Sequence, residues 1–319
     1  MNADYHYIIE QAGKAPSGHN SQPWRFAVRA EEIVLYPDLR QALPIVDPDK
    51  RELFISLGCA LENLCLAAAA RGYRTDIHEA ADGGIAIALE KSADIAPAPL
   101  AAYIECSQTN RSAYDGRAIP ADTLQAILTA CKQEDGLRLQ AFPVGSAESA
   151  QLCEQIMAGN RVQMADPAFK AELLSWLRFN AKQVQATRSG ISYAVIGAPA
   201  LPAWLSRPIV RSMLNDKRQN RLDSANIASS SHLVLLDSRA DDRATWLRCG
   251  RLLQRLLLQL TEAGIAHAFL NQPCEIAALR QRLQTEPYLA GGYPQILLRI
   301  GYGKPMPYAP RKTVEEICA

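Results

Sequence analysis

One helical segment occurs twice in this chain, and this duplication limits the possible fold more than any other feature. The first copy reads LGCALENLCLAAAARGY and the second reads CGRLLQRLLLQLTEAGI. Their alignment pairs Gly58 with Gly250 and Gly72 with Gly264, at an offset of 192 residues. Self-similarity of this kind indicates a structural unit repeated within one polypeptide. The length of 319 residues agrees with two units, because single domains usually have about 100–200 residues.

Each copy of the unit has the same order of a helix, strands and the long apolar helix. Apolar residues at helical spacing, and short apolar runs bounded by turn residues, define these elements. The predicted helices span residues 5–15, 52–71, 123–131 and 247–263, and the predicted strands span 24–29, 33–36, 84–89, 233–237 and 295–301. The middle of helix 52–71 is too apolar for a surface helix, so we expect it to lie in the core.

The two copies are unequal in length. Pairing Ile8 with Ile127 gives an offset of 119 residues, so the second copy contains 73 additional residues, at about 150–228. An insertion of that length in a compact unit is usually functional. It contains Trp176, Tyr193, Trp204 and a proline-rich run. We expect it to be more mobile than the repeated units and to cover the mouth of a ligand pocket as a lid.

Composition and charge exclude several classes of protein. Hydrophobic residues make up 48% of the chain and the formal net charge is +1, so nothing indicates nucleic-acid binding. The N-terminus lacks the features of a signal peptide, and no apolar run suggests a membrane span of about 20 residues. Eight scattered cysteines without a CxxC motif are typical of free thiols in a reducing cytoplasm. The five dispersed histidines have no metal-site spacing, so no metal is expected.

A ten-residue turn, APSGHNSQPW, is the strongest local motif and begins at Ala15. It resembles the nitroreductase family of flavoproteins, whose members carry AP-S-x-x-N-x-QPW at this place. The segments VDPDKRELFISLGCALENL, QTNRSAYDGR and PRKTVEEIC are similar to the single-chain, internally duplicated branch called Acg-like. The resemblance implies an α+β, nitroreductase-like fold. In it, two tandem units form an intramolecular pseudo-dimer, and central antiparallel sheets are packed by long apolar helices. It also implies FMN as the cofactor.

The polar turn suits the ring of a flavin, which needs hydrogen-bonding groups at its edge and an apolar plane against its face. By the resemblance, the residues that contact the ring are Pro16, Ser17, Gly18, Asn20 and Gln22 of the turn, with Asn271 and Gln272 after the second long helix. Trp24 is expected to pack into the core instead. The alternative for the turn and for the 271–272 loop is ordinary helix capping.

The phosphate of FMN needs charge-assisted donors, preferably arginine. The family carries an R-x-S-x-R element before the first helix of the unit, and only the second copy has a counterpart. That counterpart provides Thr109, Asn110 and Arg111, while Ser107 replaces the first arginine. Near the C-terminus of the same unit, Arg311 and Lys312 occupy the position of a second basic element. The alternative is that these residues are solvated surface charges.

The two copies therefore complement each other. In homodimeric members of the family, one subunit provides the ring loop and the other the phosphate elements. Here the first unit, residues 1–100, keeps only the loop, and the second unit, residues 101–319, keeps only the phosphate elements. This predicts one FMN site per chain and a monomer, although a further homodimer is the open alternative.

The resemblance implies an NAD(P)H-dependent FMN oxidoreductase. Hydride would pass through flavin N5 to a nitro compound, a quinone or another conjugated small-molecule acceptor. Because the flavin performs the redox chemistry, the sequence assigns no catalytic side chain. The alternative function is FMN sequestration or storage without turnover, with the lid closed over the flavin.

Overall fold

The computed structural model describes residues 1–131 and 135–318. Its helices are α1 (Ala3–Gly13), α2 (Arg51–Ala70), α3 (Ala121–Ala130), α4 (Ala147–Ala165), α5 (Pro167–Trp176), α6 (Ala181–Thr187), α7 (Ala203–Met213), α8 (Asp216–Ala228), α9 (Arg243–Glu262), α10 (Gln272–Glu275), α11 (Ala277–Gln284) and α12 (Val314–Ile317). Its strands are β1 (Trp24–Arg29), β2 (Glu32–Pro37), β3 (Tyr73–Glu79), β4 (Ile85–Lys91), β5 (Leu137–Pro143), β6 (Leu177–Arg178), β7 (Ile191–Ser192), β8 (His232–Ser238), β9 (Ala266–Phe269) and β10 (Tyr293–Gly301).

The duplication is visible in two four-stranded antiparallel sheets with the same connectivity. Their strand orders are β1-β2-β4-β3 and β5-β8-β10-β9. In each sheet the chain fills the first, second, fourth and third positions, and a 20-residue helix separates the second strand from the third. One apolar core joins side chains from both sheets and from both long helices. The predicted α+β class is therefore confirmed.

All nine predicted elements are present, but three strands of the two four-stranded sheets were not predicted. These are β3, β5 and β9, and each lies at the edge of its sheet. An edge strand packs one face on the core and leaves much of its length in water, so its apolar pattern is weak. Strand β3, for example, reads YRTDIHE and has no fully buried residue.

The additional length of the second copy lies between its first two strands. The first copy joins β1 to β2 by a short turn, whereas helices α4 to α8 and the parallel pair β6–β7 occupy the space between β5 and β8. The expected insertion at about 150–228 falls in this segment. The division of the chain at residue 100 stays a prediction.

Helices α2 and α9 cross where Gly58 meets Gly250. A Cβ atom added to Gly58 would lie 2.8 Å from the Cα of Gly250 and would overlap the carbonyl oxygen of Leu247. A Cβ atom added to Gly250 would lie 2.7 Å from the Cα of Gly58 and would overlap the carbonyl oxygen of Ile55. Leu247 and Ile55 are also 192 residues apart, so the contact is symmetric about a local twofold axis. Only glycine allows the two backbones to approach this closely.

A second symmetric pair of contacts lies further along the same helices. Gln254 Nε2 donates to Asn63 Oδ1 at 2.8 Å. The counterparts of these residues at the 192-residue offset are Glu62 and Arg255, which form an ion pair at 3.3 Å. The same contact is thus an amide hydrogen bond on one side of the twofold axis and an ion pair on the other.

Helix α2 is long and apolar enough to cross a membrane by length and composition. However, 78% of its most apolar window is buried inside the protein. This confirms the expectation that the LGCALENLCLAAAA segment is a core helix.

Candidate functional site

A cavity of about 440 Å³ lies where the two copies meet. Its wall contains the 16–20 turn and α2 of the first copy, together with residues 104–111, α9, the 267–275 segment and the 307–311 tail of the second copy. The inserted segment closes part of it with Gln163, Phe169, Gly190, Ile191 and Val195. Cofactor and small-molecule sites usually have volumes of about 300–1,000 Å³. The cavity is therefore large enough for a ligand of that class.

The structure brings most of the sequence-predicted site residues together in this wall. Nine line the cavity: Pro16, Ser17, Gly18, Asn20, Thr109, Arg111, Asn271, Gln272 and Arg311. The other three, Gln22, Asn110 and Lys312, do not line it.

The turn after α1 is held in an uncommon backbone conformation. His19, Asn20 and Gln22 have φ angles of 50°, 55° and 54°, in the left-handed region that residues other than glycine rarely adopt. The Ser17 hydroxyl accepts a hydrogen bond from the Gln22 amide at 3.0 Å, which fixes the turn. Such strain persists where surrounding contacts impose it, and it is frequent at ligand sites.

Asn20 and Arg311 connect the turn to the C-terminal tail. Arg311 Nη1 donates to Asn20 Oδ1 at 2.9 Å, and its Nη2 donates to the Lys14 carbonyl at 3.1 Å. Asn20 Nδ2 donates to the carbonyls of Pro310 and Gly190 at 2.9 and 3.2 Å. The side chain of Asn20 is thus engaged by protein groups on both its atoms. Burial lowers the pKa of Arg311 to about 10, and its Nε has no partner among the described residues.

Gln22, Asn110 and Lys312 lie behind the cavity wall, where protein groups contact the two amide side chains and the Lys312 backbone, so their direct role in binding stays a prediction. Gln22 Nε2 donates to the Arg188 carbonyl at 2.7 Å, and its Oε1 accepts from the backbone amide of Lys312 at 2.9 Å. Gln22 therefore ties the turn to the insertion and to the tail. Asn110 Nδ2 donates to the Lys304 carbonyl at 2.7 Å, and its Oδ1 accepts from the Ser112 amide at 3.0 Å. These contacts hold the cavity wall in place from its far side.

Arg111 is a cation without an anion. It lines the cavity and, among residues 1–131 and 135–318, it has no hydrogen-bond or ion-pair partner. Burial lowers its pKa, and the positive charge of Arg299 lowers it further. Burial also lowers the pKa of the neighbouring His19 to about 4, with a further contribution from Arg111, so that imidazole is neutral at pH 7. The Arg111 side chain remains accessible from the cavity, and a guanidinium in that position without a partner can bind an anion.

Two buried side chains of the cavity wall were missed by the sequence reasoning. His267 is 2% exposed and neither ring nitrogen has a partner among the described residues, and Gln254 is 1% exposed with Oε1 unpartnered. Gln272 Oε1 is also unpartnered. Buried polar atoms nearly always have a hydrogen-bond partner. Their shared position in the cavity wall therefore points to a polar ligand. In the sequence, the one sign of this site was Gln254, a polar residue within the apolar run of α9.

Three carboxyl groups line the cavity, and two of them, Glu52 of α2 and Glu275 of α10, influence each other's charge. Burial and the nearby Glu275 together raise the pKa of Glu52 to about 8, although Arg51 lies 3.1 Å away. Burial likewise raises the pKa of Glu275 to about 7. Asn271 Nδ2 donates to Glu52 Oε1 at 3.2 Å. The pair therefore retains a proton near neutral pH, inside the cavity wall.

Glu275→Gln is expected to make the protein more stable at alkaline pH. Because the folded-state pKa values of both carboxyls lie above the ordinary value of 4.5, the folded chain holds protons that the unfolded chain has released. The stability gained from these protons is complete below about pH 4.5 and is lost as pH rises through about 7 and 8. We expect a gain of about 1–3 kcal/mol in the free energy of unfolding at about pH 8.5, since one pKa unit corresponds to about 1.4 kcal/mol.

Urea unfolding at several pH values measures this effect. The amide of the variant can still accept the hydrogen bond from Gln163, so that contact is preserved. Glu90→Gln is the matched control, because that carboxylate is 74% exposed and should change little. Identical pH dependence in the wild type and the Glu275→Gln variant would contradict the assignment.

Comparison with known proteins gives relatives over nearly the whole chain. No protein-family model matches it. It is 28% identical over 327 residues to "Putative NAD(P)H nitroreductase Rv3131" of Mycobacterium tuberculosis, which covers 97% of this chain and 89% of that protein. It is 26% identical over 329 residues to "Putative NAD(P)H nitroreductase acg" of the same organism, covering 97% and 93%.

A solved structure with the same fold is that of "a putative nitroreductase" from Anabaena variabilis. Its TM-score is 0.52 at 10% sequence identity, and the match covers 94% of this chain and 88% of that chain. The predicted resemblance is therefore confirmed: the chain is similar over nearly its whole length to proteins named as putative NAD(P)H nitroreductases, including Acg, and it has the nitroreductase fold.

Proposed function

We propose that this cavity binds one FMN and that the protein is an NAD(P)H-dependent oxidoreductase. The observation that carries the proposal is Arg111, which has no partner among the described residues, in a wall whose residues also include buried imidazole and amide atoms without a hydrogen-bond partner. FMN combines a phosphate dianion with a ring that is polar at its edge and apolar on its faces. The names of the two relatives, which specify NAD(P)H, support the choice of reductant.

The residues present fit FMN in three groups. Arg111, Thr109 and the free Nε of Arg311 would hold the phosphate through charge-assisted hydrogen bonds. The Pro16–Gly18 turn and the 271–272 segment would hold the ring, and His267 and Gln254 would satisfy their unpartnered atoms on the ligand. Bound FMN would supply hydride acceptance and donation at its N5 atom.

The protein itself would contribute binding, orientation and a retained proton. Phe169, Ile191 and Val195 would exclude water from one side of the cavity. Glu52 and Glu275 would keep a proton near the bound ligands at neutral pH. Electron acceptors of the nitro, quinone or other conjugated class would suit the mixed polar and apolar wall.

A second candidate function is FMN storage without turnover. It is favoured by the bonds that tie the inserted segment to the turn. The Gly190 amide donates to the Asn20 carbonyl at 3.1 Å, and Gln22 bonds to the Arg188 carbonyl at 2.7 Å. If these contacts keep the lid closed, NAD(P)H cannot reach the flavin.

The purified protein is expected to bind one FMN per chain and to be a monomer. The first copy provides the turn and the second provides Arg111 and Arg311, so one chain contains one full set of elements. Light scattering combined with the ratio of flavin to protein absorbance measures both quantities. Two flavins per chain, or no flavin at saturating FMN, would contradict the proposal.

Anaerobic stopped-flow mixing of the FMN-loaded protein with NADH or NADPH separates the two functions. Loss of the flavin absorbance band supports the oxidoreductase. A band that persists with both reductants, in a protein that still binds FMN tightly, supports storage.

A further inference from the structure

Helix α7 in the inserted segment presents an apolar face to solvent. Trp204, Leu205, Ile209 and Met213 are 78%, 38%, 44% and 36% exposed. Its opposite side packs through Val210 on Leu174 and Phe179, next to α5. The helix is thus anchored on one side and has no partner on the other within the described chain. Contiguous exposed apolar side chains of this kind usually mark an interaction surface.

Positive charge surrounds this face. Residues 203–222 contain five basic side chains and one acidic one, Asp216, although the whole chain has a net charge of only +1. The basic residues are Arg207, Arg211, Lys217, Arg218 and Arg221, all exposed and without an ion-pair partner among the described residues. Arg207 and Arg211 follow Trp204 by three and seven residues, which places them beside it on one helical stripe.

We propose that the exposed face of α7 docks on the surface of an anionic lipid bilayer. Helices that lie in the membrane interface combine tryptophan and aliphatic residues on one side with arginine and lysine at the border. Anionic headgroups would neutralise the basic residues, while the four apolar side chains enter the acyl boundary. This contact is peripheral, so it needs no spanning helix. It is also independent of the FMN cavity.

Two other partners fit the observations less well. A symmetric contact with a second copy of the chain would bring two sets of five cations together, which is repulsive. A nucleic-acid backbone would neutralise the cations but would leave Trp204 and Ile209 without an apolar partner. Only a surface with both anionic and apolar layers satisfies the whole face.

Flotation with lipid vesicles tests the proposal on the full chain. Vesicles of phosphatidylcholine with phosphatidylglycerol are compared with vesicles of phosphatidylcholine alone, at low and high salt. We expect binding to the anionic vesicles, weakened by salt. Arg207→Gln/Arg211→Gln should weaken it on the order of 30-fold, because each basic residue near an anionic surface contributes roughly fivefold. Trp204→Ser/Ile209→Ser should also abolish the blue shift of tryptophan fluorescence on binding.

Leu39→Ser is the control, because Leu39 is 55% exposed on a different part of the surface. All variants are checked for an unchanged unfolding midpoint. The proposal is overturned if neither vesicle binds at low salt, if both bind equally, or if the α7 variants bind as the wild type does. It is also overturned if light scattering shows a dimer that the Trp204→Ser/Ile209→Ser variant dissociates, since the face would then be a protein interface.

Discussion

Gly250→Ala is expected to lower the free energy of unfolding by about 2–4 kcal/mol, the upper part of the range for an overpacked core. The added methyl group would overlap the Ile55 carbonyl and crowd the Cα of Gly58, and both are backbone atoms. Helices α2 and α9 would have to separate, which would also move Ile55, Cys59 and Leu253 of the cavity wall. FMN affinity should therefore fall together with stability. Chemical denaturation and flavin titration measure the two effects.

Gly13→Ala is the matched control for this substitution. A Cβ atom at Gly13 would lie 2.9 Å from Ile317 Cδ1, the end of a flexible side chain that can move aside. Gly58→Ala should behave like Gly250→Ala, because the contact is symmetric. If Gly250→Ala costs no more than Gly13→Ala, the close crossing of the two helices is wrong.

Arg111→Ala is expected to raise the dissociation constant of FMN by about 10–100-fold, since a hydrogen bond to a charged group contributes about 1.5–3 kcal/mol. The same variant without FMN should be about as stable as the wild type, because the accessible Arg111 side chain has no hydrogen bond or ion pair to lose among the described residues. The rise in unfolding temperature on adding FMN should be correspondingly smaller. Flavin fluorescence and thermal unfolding with and without FMN test these expectations.

Lys312→Ala tests whether Lys312 binds the FMN phosphate, as the sequence suggests, or lies outside the cavity, as the structure indicates. Arg111, Arg311 and Lys312 were the basic candidates for the phosphate, and the two arginines line the cavity whereas Lys312 does not. Lys312 contributes its backbone amide to Gln22, and this bond survives the substitution. We expect its effect on FMN affinity to be small. Equal losses in the two variants would mean that the cavity is not the phosphate site.

Four helices of the repeated units and five of their strands could be predicted, because their apolar residues repeat with a clear period or form a continuous run. A continuous apolar run identifies α2, and β8 and β10 are apolar because they are buried along nearly their whole length. The edge strand β3 carries alternating polar residues that a loop would also tolerate. It is a strand because it pairs with β4, and this tertiary contact cannot be inferred from the local sequence pattern.

The lining of the candidate cavity could be predicted where one motif contains its residues, and it could not be predicted where residues distant in sequence meet. Pro16, Ser17 and Gly18 are neighbours in one turn. Glu52 and Glu275 are 223 positions apart, and their raised pKa values exist only because folding buries them together. The motif does not show which way a side chain points. Gln22 was therefore assigned to the ligand, although its side-chain amide bonds to the backbone of Arg188 and Lys312.

Fusion of the two copies frees each half to change alone. In a homodimer with twofold symmetry every substitution appears on both sides of the axis. Here the contact between Asn63 and Gln254 is a neutral amide pair beside the cavity, whereas its counterpart between Glu62 and Arg255 is an ion pair. A homodimer could not hold both forms at once. At the axis this freedom ends, because each of Gly58 and Gly250 restricts the size of the other. The two copies can therefore diverge in sequence away from the twofold axis, but at the axis Gly58 and Gly250 must both stay small.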